Sequence, residues 1–400
     1  MNKISELYMR IGTTFFKKVL VPLASGDFLS KLIKWNSESI KLDHGPGMLG
    51  KINKYDGFCV IPAHFENYSQ VIGNFYNKYE LLPIKPKPGS CDLLLEFIRH
   101  IFQEHYEYGL DYMQLLILQP VIKLPVLCLC SSERNTGKST YLMLLKHIFA
   151  GNMAINTNED FRSNFNSEWA PKSIVAVDET FLDKKEDSER IKTLSTSPVY
   201  KMESKGVDRV EIEFFAKFIL CSNNEDSFIN IDPQETRYWV RKVPEFRITS
   251  DKRKEQMFKE IPQFLHFLIN RKLSTKSESR MWFKTSDIRT EALEKLIRNN
   301  RTRLELEIMN IIQYIMDSEN VNEVKVCLKD VVDWLKYYNF RQFNFYSIKK
   351  IIHNNWGLKP ANNTLSYVGY HFDNTGSLIS DKRKGRYYTF TRDFIKTISE

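Results

Sequence analysis

Four hundred residues leave room for two or three domains of about 100–200 residues each. Apolar residues at 42% and charged residues at 27% lie in the ordinary globular range, which excludes wholesale disorder. The net charge of +9 is spread along the chain and points to a polyanionic partner such as nucleic acid, although a merely basic soluble protein has the same balance.

The most apolar run, residues 115–130, is broken by Gln119, Pro120, Lys123 and Pro125, so no membrane span is expected. No apolar segment follows the N-terminal charges, so no secretory signal is expected and the chain is read as cytoplasmic. The cysteines form no Cys-x-x-Cys pair. They predict buried thiols in a reducing compartment rather than a zinc ribbon or a disulfide framework.

Residues 1–110 mix short apolar runs with turn signals at 44–47, 54–57 and 85–89, then give a helix-period run at 93–102. This stretch is expected to be a mostly helical accessory or collar region. No Asp-x-Asp or Asp-x-Glu ends an apolar strand there, so no nucleotide-polymerising carboxylate pair is predicted. Residues 111–245 alternate buried strands (124–130, 173–177, 214–221) with helices, the α/β pattern, and 246–300 reads as a charged helical extension. Residues 301–400 read as three helices (304–316, 328–338, 345–356) and two strand-like runs (366–372, 386–391). That is the order of a winged-helix-like domain.

Between the first core strand and the next helix lies Ser131-Ser-Glu-Arg-Asn-Thr-Gly-Lys-Ser-Thr140. A strand, a glycine-containing loop and a helix start form a phosphate cradle of backbone N–H groups. Glu133, Arg134, Asn135, Thr136, Gly137, Lys138, Ser139 and Thr140 are the expected ATP-binding residues, with Lys138 against the β- and γ-phosphates and Ser139 a Mg²⁺ ligand. Forty residues after Lys138, the strand 174–177 ends in Asp178 and Glu179, read as a Mg²⁺ holder and the base for the attacking water. A third strand ends in Asn223 and Asn224, where an amide can sense the γ-phosphate; Arg237 and Arg241 follow. Taken singly, these are also an acidic turn, an ordinary turn and two strand-edge arginines. Their fixed order within about 110 residues is the signal.

That order, with Asn135 two residues before the glycine, resembles superfamily 3 helicases, the ring-forming ATPases of small viruses, phages and plasmids. More narrowly, residues 133–140, Asn164-Phe-Asn-Ser-Glu-Trp169, Val177-Asp-Glu-Thr180, Lys205-Gly206 and Ser222-Asn-Asn224 resemble the helicase domain attached to phage primase-polymerases. That likeness extends through 54–58 and 77–79 and so covers roughly 1–300. The resemblance implies an AAA+-like P-loop core, ATP with Mg²⁺, single-stranded and forked DNA as partners, a homo-hexamer and a bacterial host. It assigns Lys138, Glu179, Asn223 and Arg237 to catalysis and Ser139 and Asp178 to the metal. Two positions depart from the pattern: Ser132 replaces the first loop glycine, and Thr236-Arg237 replaces an arginine pair, leaving Arg237 or Arg241 as the finger. No polymerase half is seen, so a separate primase or polymerase is an expected partner.

Lys201, Lys205 and Arg209 are spaced by four, with Gly206 for a tight turn, where the resemblance places a DNA-tracking hairpin. Lys349 and Lys350 on the third C-terminal helix, with Lys382, Arg383, Lys384 and Arg386 at the expected wing, are the duplex-binding candidates. The expected activity is ATP-driven 3′–5′ unwinding. The rival readings are a DNA-binding initiator or regulator that uses ATP only to assemble, and a P-loop kinase or non-translocating ATPase.

Overall fold

The computed structural model describes residues 6–22, 28–182, 184–205, 207–246, 251–300, 303–338, 340, 343–373 and 375–399; Gly206 lies outside them. The N-terminal region is strand-rich rather than mostly helical. β1 (Tyr8–Ile11), β2 (Thr14–Pro22), β3 (Phe28–Trp35) and β4 (Asn53–Tyr55) form a sheet in the order β3-β2-β1-β4. β5 (Gly57–Cys59), β6 (Val71–Ile72) and β7 (Phe75–Asn77) form a second, small sheet. The physical reason is composition. β2 and β3 are built from Phe15, Phe16, Val19, Val21, Ile33 and Trp35, side chains that fit a pleated surface better than a helix.

Apart from the short helix Ser37–His44, the α-helices of this region are Asp92–Phe102 and, across its expected boundary, Tyr106–Leu118, and these two belong to the centre of the molecule. Position 110 therefore falls inside a helix. Leu94, Phe97, Ile101 and Leu115 share one core with Leu127, Leu129, Leu144 and Phe264. The strands of that centre are β8 (Val126–Cys130), β9 (Met153–Asn156) and β10 (Ile174–Val177), then the hairpin β11 (Val199–Ser204) and β12 (Val207–Glu213), then β13 (Lys217–Ser222) and β14 (Tyr238–Lys242). All but the hairpin make one parallel sheet in the order β14-β8-β13-β10-β9. Helices cover one face. Phe161, Trp169, Ile191, Phe228 and Leu296 cover the other, which is why β8, β10 and β13 are buried along their whole length and read as continuous apolar runs. Because the strands run the same way, the segments following β8, β10 and β13 emerge at one edge of the sheet.

The C-terminal unit has its own core around Ile308, Ile312, Val331, Trp334, Ile352 and Phe390. Its order is helix Arg303–Ser318, β15 (Glu323–Val326), helix Leu328–Tyr337, helix Phe345–Lys349 continued by a π-helical turn Lys350–Asn355, β16 (Leu365–Phe372), β17 (Leu378–Gly385), β18 (Tyr388–Thr391) and helix Arg392–Ser399. The expected helix order holds, but β15 pairs antiparallel with β18, and the basic segment expected between two strands is itself mostly strand β17. Alternation explains this: Tyr367 stands opposite Arg383, which is drawn inward by Asp330 while Lys382 and Lys384 stay exposed. Cys91, Cys128, Cys130 and Cys221 are buried free thiols, and Cys59 and Cys327 are half-buried ones. Among the described residues no helix is long and apolar enough to cross a membrane.

Candidate functional site

β8 delivers the chain to the loop 131–137, and two residues there take the left-handed backbone: Asn135 at φ 56° and Gly137 at φ 90°. Ser132 is not among the positive-φ residues, which is why a serine fits where a glycine was expected. Gly137 has a second reason to lack a side chain, since a Cβ there would lie 2.9 Å from the Phe97 ring. The helix Lys138–Phe149 starts immediately, and its first closing bond runs from Tyr141 N to Gly137 O at 2.8 Å, so the N–H groups of the first turn are free to face an anion. The loop is clamped from outside. Phe246 N donates to Asn135 O at 3.0 Å, and His100 Nε2 donates to Thr136 O at 3.0 Å while its ring stacks on Phe246, 4.1 Å between centroids. Burial lowers the His100 pKa, opposed by its hydrogen bond to the Thr136 carbonyl.

Lys138 is 7% exposed, and its Nζ donates to Thr136 Oγ1 at 3.0 Å. Burial pushes its pKa down, opposed by neighbours that include Asp178. No ion pair to a carboxylate holds it among the described residues. The turn after β10 is tied to β13: Thr180 N donates to Cys221 O at 2.6 Å, and Ser222 Oγ donates to Thr180 O at 2.8 Å. Within it, Glu179 takes φ 51°, its N bonded to Asp178 Oδ1 at 3.0 Å and its carbonyl accepting from Asn158 Nδ2 at 3.1 Å. The two asparagines part company. Asn224 Oδ1 accepts from Asp226 N and Ser227 N and builds the turn, whereas Asn223 faces the cavity.

That cavity, of about 480 Å³, gathers Arg134, Asn135, Thr136, Gly137, Lys138, Ser139, Thr140, Glu179 and Asn223. Glu133 is exposed and outside the lining, and Asp178 is half-buried beside it. Phe246, Lys254 and Met257 complete the wall, and His100 braces the loop; sequence reasoning missed all four. No local pattern marks them, because each meets the loop only through long-range packing.

The arginines lie elsewhere. Arg237 precedes β14, whose Tyr238 stands opposite Val126 at the start of β8, so it sits at the edge of the sheet away from the loop. It lines a separate open cleft with Lys192, Asp232 and Glu235 and cannot reach its own chain's cavity. Arg241 is 3% exposed and bonds Glu104 Oε1 at 2.6 Å and Phe102 O at 2.8 Å. The guanidinium holds the Glu104 carboxyl down at about 2. Arg241 is thus an internal strut, and of the two arginines only Arg237 has exposed surface to offer another chain.

The DNA candidates fall in two regions. Lys201 and Arg209 are exposed on β11 and β12 and Lys205 is exposed at the turn, with Arg209 paired to Glu203 at 2.7 Å. Buried Asn166 braces this hairpin, donating to Lys201 O at 3.0 Å and accepting from Glu203 N at 2.8 Å. In the C-terminal unit Lys349, Lys382, Lys384 and Arg386 are exposed, the last donating through Nε to Ala361 O at 3.0 Å. Two candidates are only half-exposed. Lys350 lines a cleft that also holds Asp232, and Arg383 is held by Asp330 at 2.5 Å and Asp381 at 2.6 Å.

Residues 129–241, from β8 to β14, match a family of unknown function (DUF5906). Over 178 residues the chain is 26% identical to the DNA primase-polymerase of Nitratiruptor phage NrS-1, a stretch that is 42% of this chain and 24% of that relative. The apo structure of the NrS-1 C-terminal region is similar with a TM-score of 0.62 at 15% identity, covering 96% of this chain and 97% of that one. An A-form apo structure of the same region gives 0.60 at 15% identity, covering 93% and 94%. The chain thus shares its mixed α/β architecture, with the parallel sheet, with that region. The likeness to a phage primase-polymerase read from the loop and its partners is borne out. The match spans about a quarter of that relative's length.

Proposed function

We propose that this chain is an ATP-dependent DNA helicase of the ring-forming superfamily 3 type, with an AAA+-like P-loop core and a winged-helix-like C-terminal unit, serving the replication of a phage or mobile element. One observation carries the reading: Lys138, Glu179 and Asn223, arriving from three different strand ends, meet on one cavity at the start of a helix. The cavity fits a nucleoside triphosphate. A buried cation with no carboxylate partner among the described residues, left-handed loop backbone and free helix N–H groups all favour anionic oxygens over water.

Ser139 and Asp178 are the residues that would hold Mg²⁺, which supplies charge neutralisation on the phosphate oxygens. Lys138 stabilises charge developing on the γ-phosphoryl group, Glu179 accepts the proton of the attacking water, and Asn223 orients that water. Arg237 serves the cavity of a neighbouring copy in a homo-hexamer, since its own is out of reach. Single-stranded and forked DNA are gripped at the β11–β12 hairpin, and a separate primase or polymerase supplies the priming step.

The test is the ATPase rate of the full chain with and without single-stranded DNA, read beside its native mass. Hydrolysis by an assembled particle that rises several-fold on adding DNA supports the reading. A confirmed monomer with a DNA-independent rate removes it in favour of a self-contained ATPase.

A further inference from the structure

Arg237 is gripped by its own neighbour in the chain. Glu235, 6% exposed, accepts from the backbone nitrogens of Thr236 and Arg237 at 2.9 and 3.0 Å, and both its oxygens accept from Arg237 Nη1 at 2.7 and 2.8 Å. A carboxylate this buried is costly unless its charge is matched. The match comes from two cations, Arg237 on one side and Lys192 on the other. Lys192 Nζ lies 3.6 Å from Glu235, 2.5 Å from Asp232 and 3.1 Å from Glu189. Among the described residues every side-chain hydrogen bond of Arg237 runs through Nη1, and Nε is buried without a partner. A guanidinium is a planar fork of five donors, so a grip on Nη1 with Nε buried restricts the plane and leaves the Nη2 donors for an anion. The cleft in which this occurs is open to solvent.

We propose that Glu235 is a positioning residue: backed by Lys192, it holds Arg237 by one corner so that the uncommitted Nη2 of the guanidinium is presented to the nucleotide phosphates of a neighbouring copy of this chain. The proposal rests on the function argued above and deepens it. A flexible arginine would have to be ordered at each encounter, whereas a pre-set one loses less conformational freedom.

The experiment uses the full chain at assembling concentration and follows nucleotide affinity and ATP hydrolysis for Glu235→Gln and Arg237→Ala, each alone and mixed with excess Lys138→Ala chain. The expected result is that Glu235→Gln binds nucleotide nearly normally, hydrolyses it about tenfold or more slower, and regains activity on mixing. Rescue follows because the Lys138→Ala chain brings an intact Glu235–Arg237 pair to an intact cavity. Arg237→Ala behaves alike with a larger loss. A slow, rescued Arg237→Ala beside a Glu235→Gln at the wild-type rate overturns the positioning role and leaves the proposed function standing. Loss in Glu235→Gln without rescue also overturns it, since the defect then lies outside the arginine. A fully active or unrescued Arg237→Ala overturns the finger itself and the positioning role with it. If melting shows that Glu235→Gln does not fold, Lys192→Gln carries the test: a several-fold loss with the same rescue supports the proposal, and a wild-type rate overturns it.

Discussion

Lys138 is kept where a cation is expensive. It is buried, its pKa is pushed down by that burial, and the Thr136 hydroxyl is its hydrogen-bond partner. Such a site is stabilised by an arriving anion more than any surface lysine would be. Replacing it with alanine is expected to remove about 3 kcal/mol or more of transition-state stabilisation, a loss of a hundredfold or greater in turnover. Steady-state hydrolysis by the purified Lys138→Ala chain checks this, and an unchanged rate contradicts it. Glu179 is a different case. Its strained φ of 51° is maintained by backbone bonds to Asp178 and Asn158, which an amide side chain leaves intact. Glu179→Gln should therefore bind nucleotide with near-normal affinity and turn it over very slowly. A variant that fails to bind would make Glu179 a structural residue.

The β11–β12 hairpin illustrates how an element is built to carry charge. Its pairing is irregular between Met202 and Ser204, and Asn166 bonds the backbone just before that shift, at Lys201 O, and within it, at Glu203 N. The strand is thereby fixed at its weakest point while Lys205 stays exposed at the turn. Lys205→Ala is expected to weaken single-stranded DNA binding across all sequences and to lower the slope of log affinity against log salt by roughly 0.7, the share of one phosphate contact. A salt titration of binding by fluorescence anisotropy measures it. An unchanged slope leaves the lysine a solvated surface charge.

At the scale of the molecule, the N-terminal region is anchored beneath the central sheet by polar groups. Asn152 exchanges hydrogen bonds with Glu80 at 2.8 and 2.7 Å, and Tyr79 OH bonds Ser173 Oγ at 2.9 Å with His64 beside it at 3.4 Å. Burial lowers the His64 pKa to about 4, against 6.5 unperturbed. The folded protein thus binds this proton more weakly than the unfolded chain. The contribution is complete above about pH 6.5 and is lost as the pH falls toward 4, a change of up to about 3 kcal/mol. Chemical denaturation at pH 7 and pH 4.5 should show this loss, and His64→Gln, which cannot titrate, should flatten it. An equal slope in the variant would assign the acid sensitivity to other groups.

The candidate site was legible in the chain because the residues that build its loop are local. A strand, a loop with Gly137-Lys138-Ser139 and a helix start lie within one continuous segment, and parallel strands oblige Glu179 and Asn223 to emerge at the same edge. The strand-rich N-terminal region was misread as helical because its apolar runs are short, and a short run does not distinguish a strand from a helix turn. His100, Phe246, Lys254 and Met257 left no mark in the pattern, for they reach the loop only through packing between distant segments. The choice between the two arginines is also tertiary: four residues apart in the chain, Arg241 is consumed by Glu104 and the Phe102 carbonyl, while Arg237 remains at an open cleft. Local spacing dictates which side chains can share a strand end. Only the packing of helices and loops around that end decides which charges are buried and paired, and which are left to act on something else.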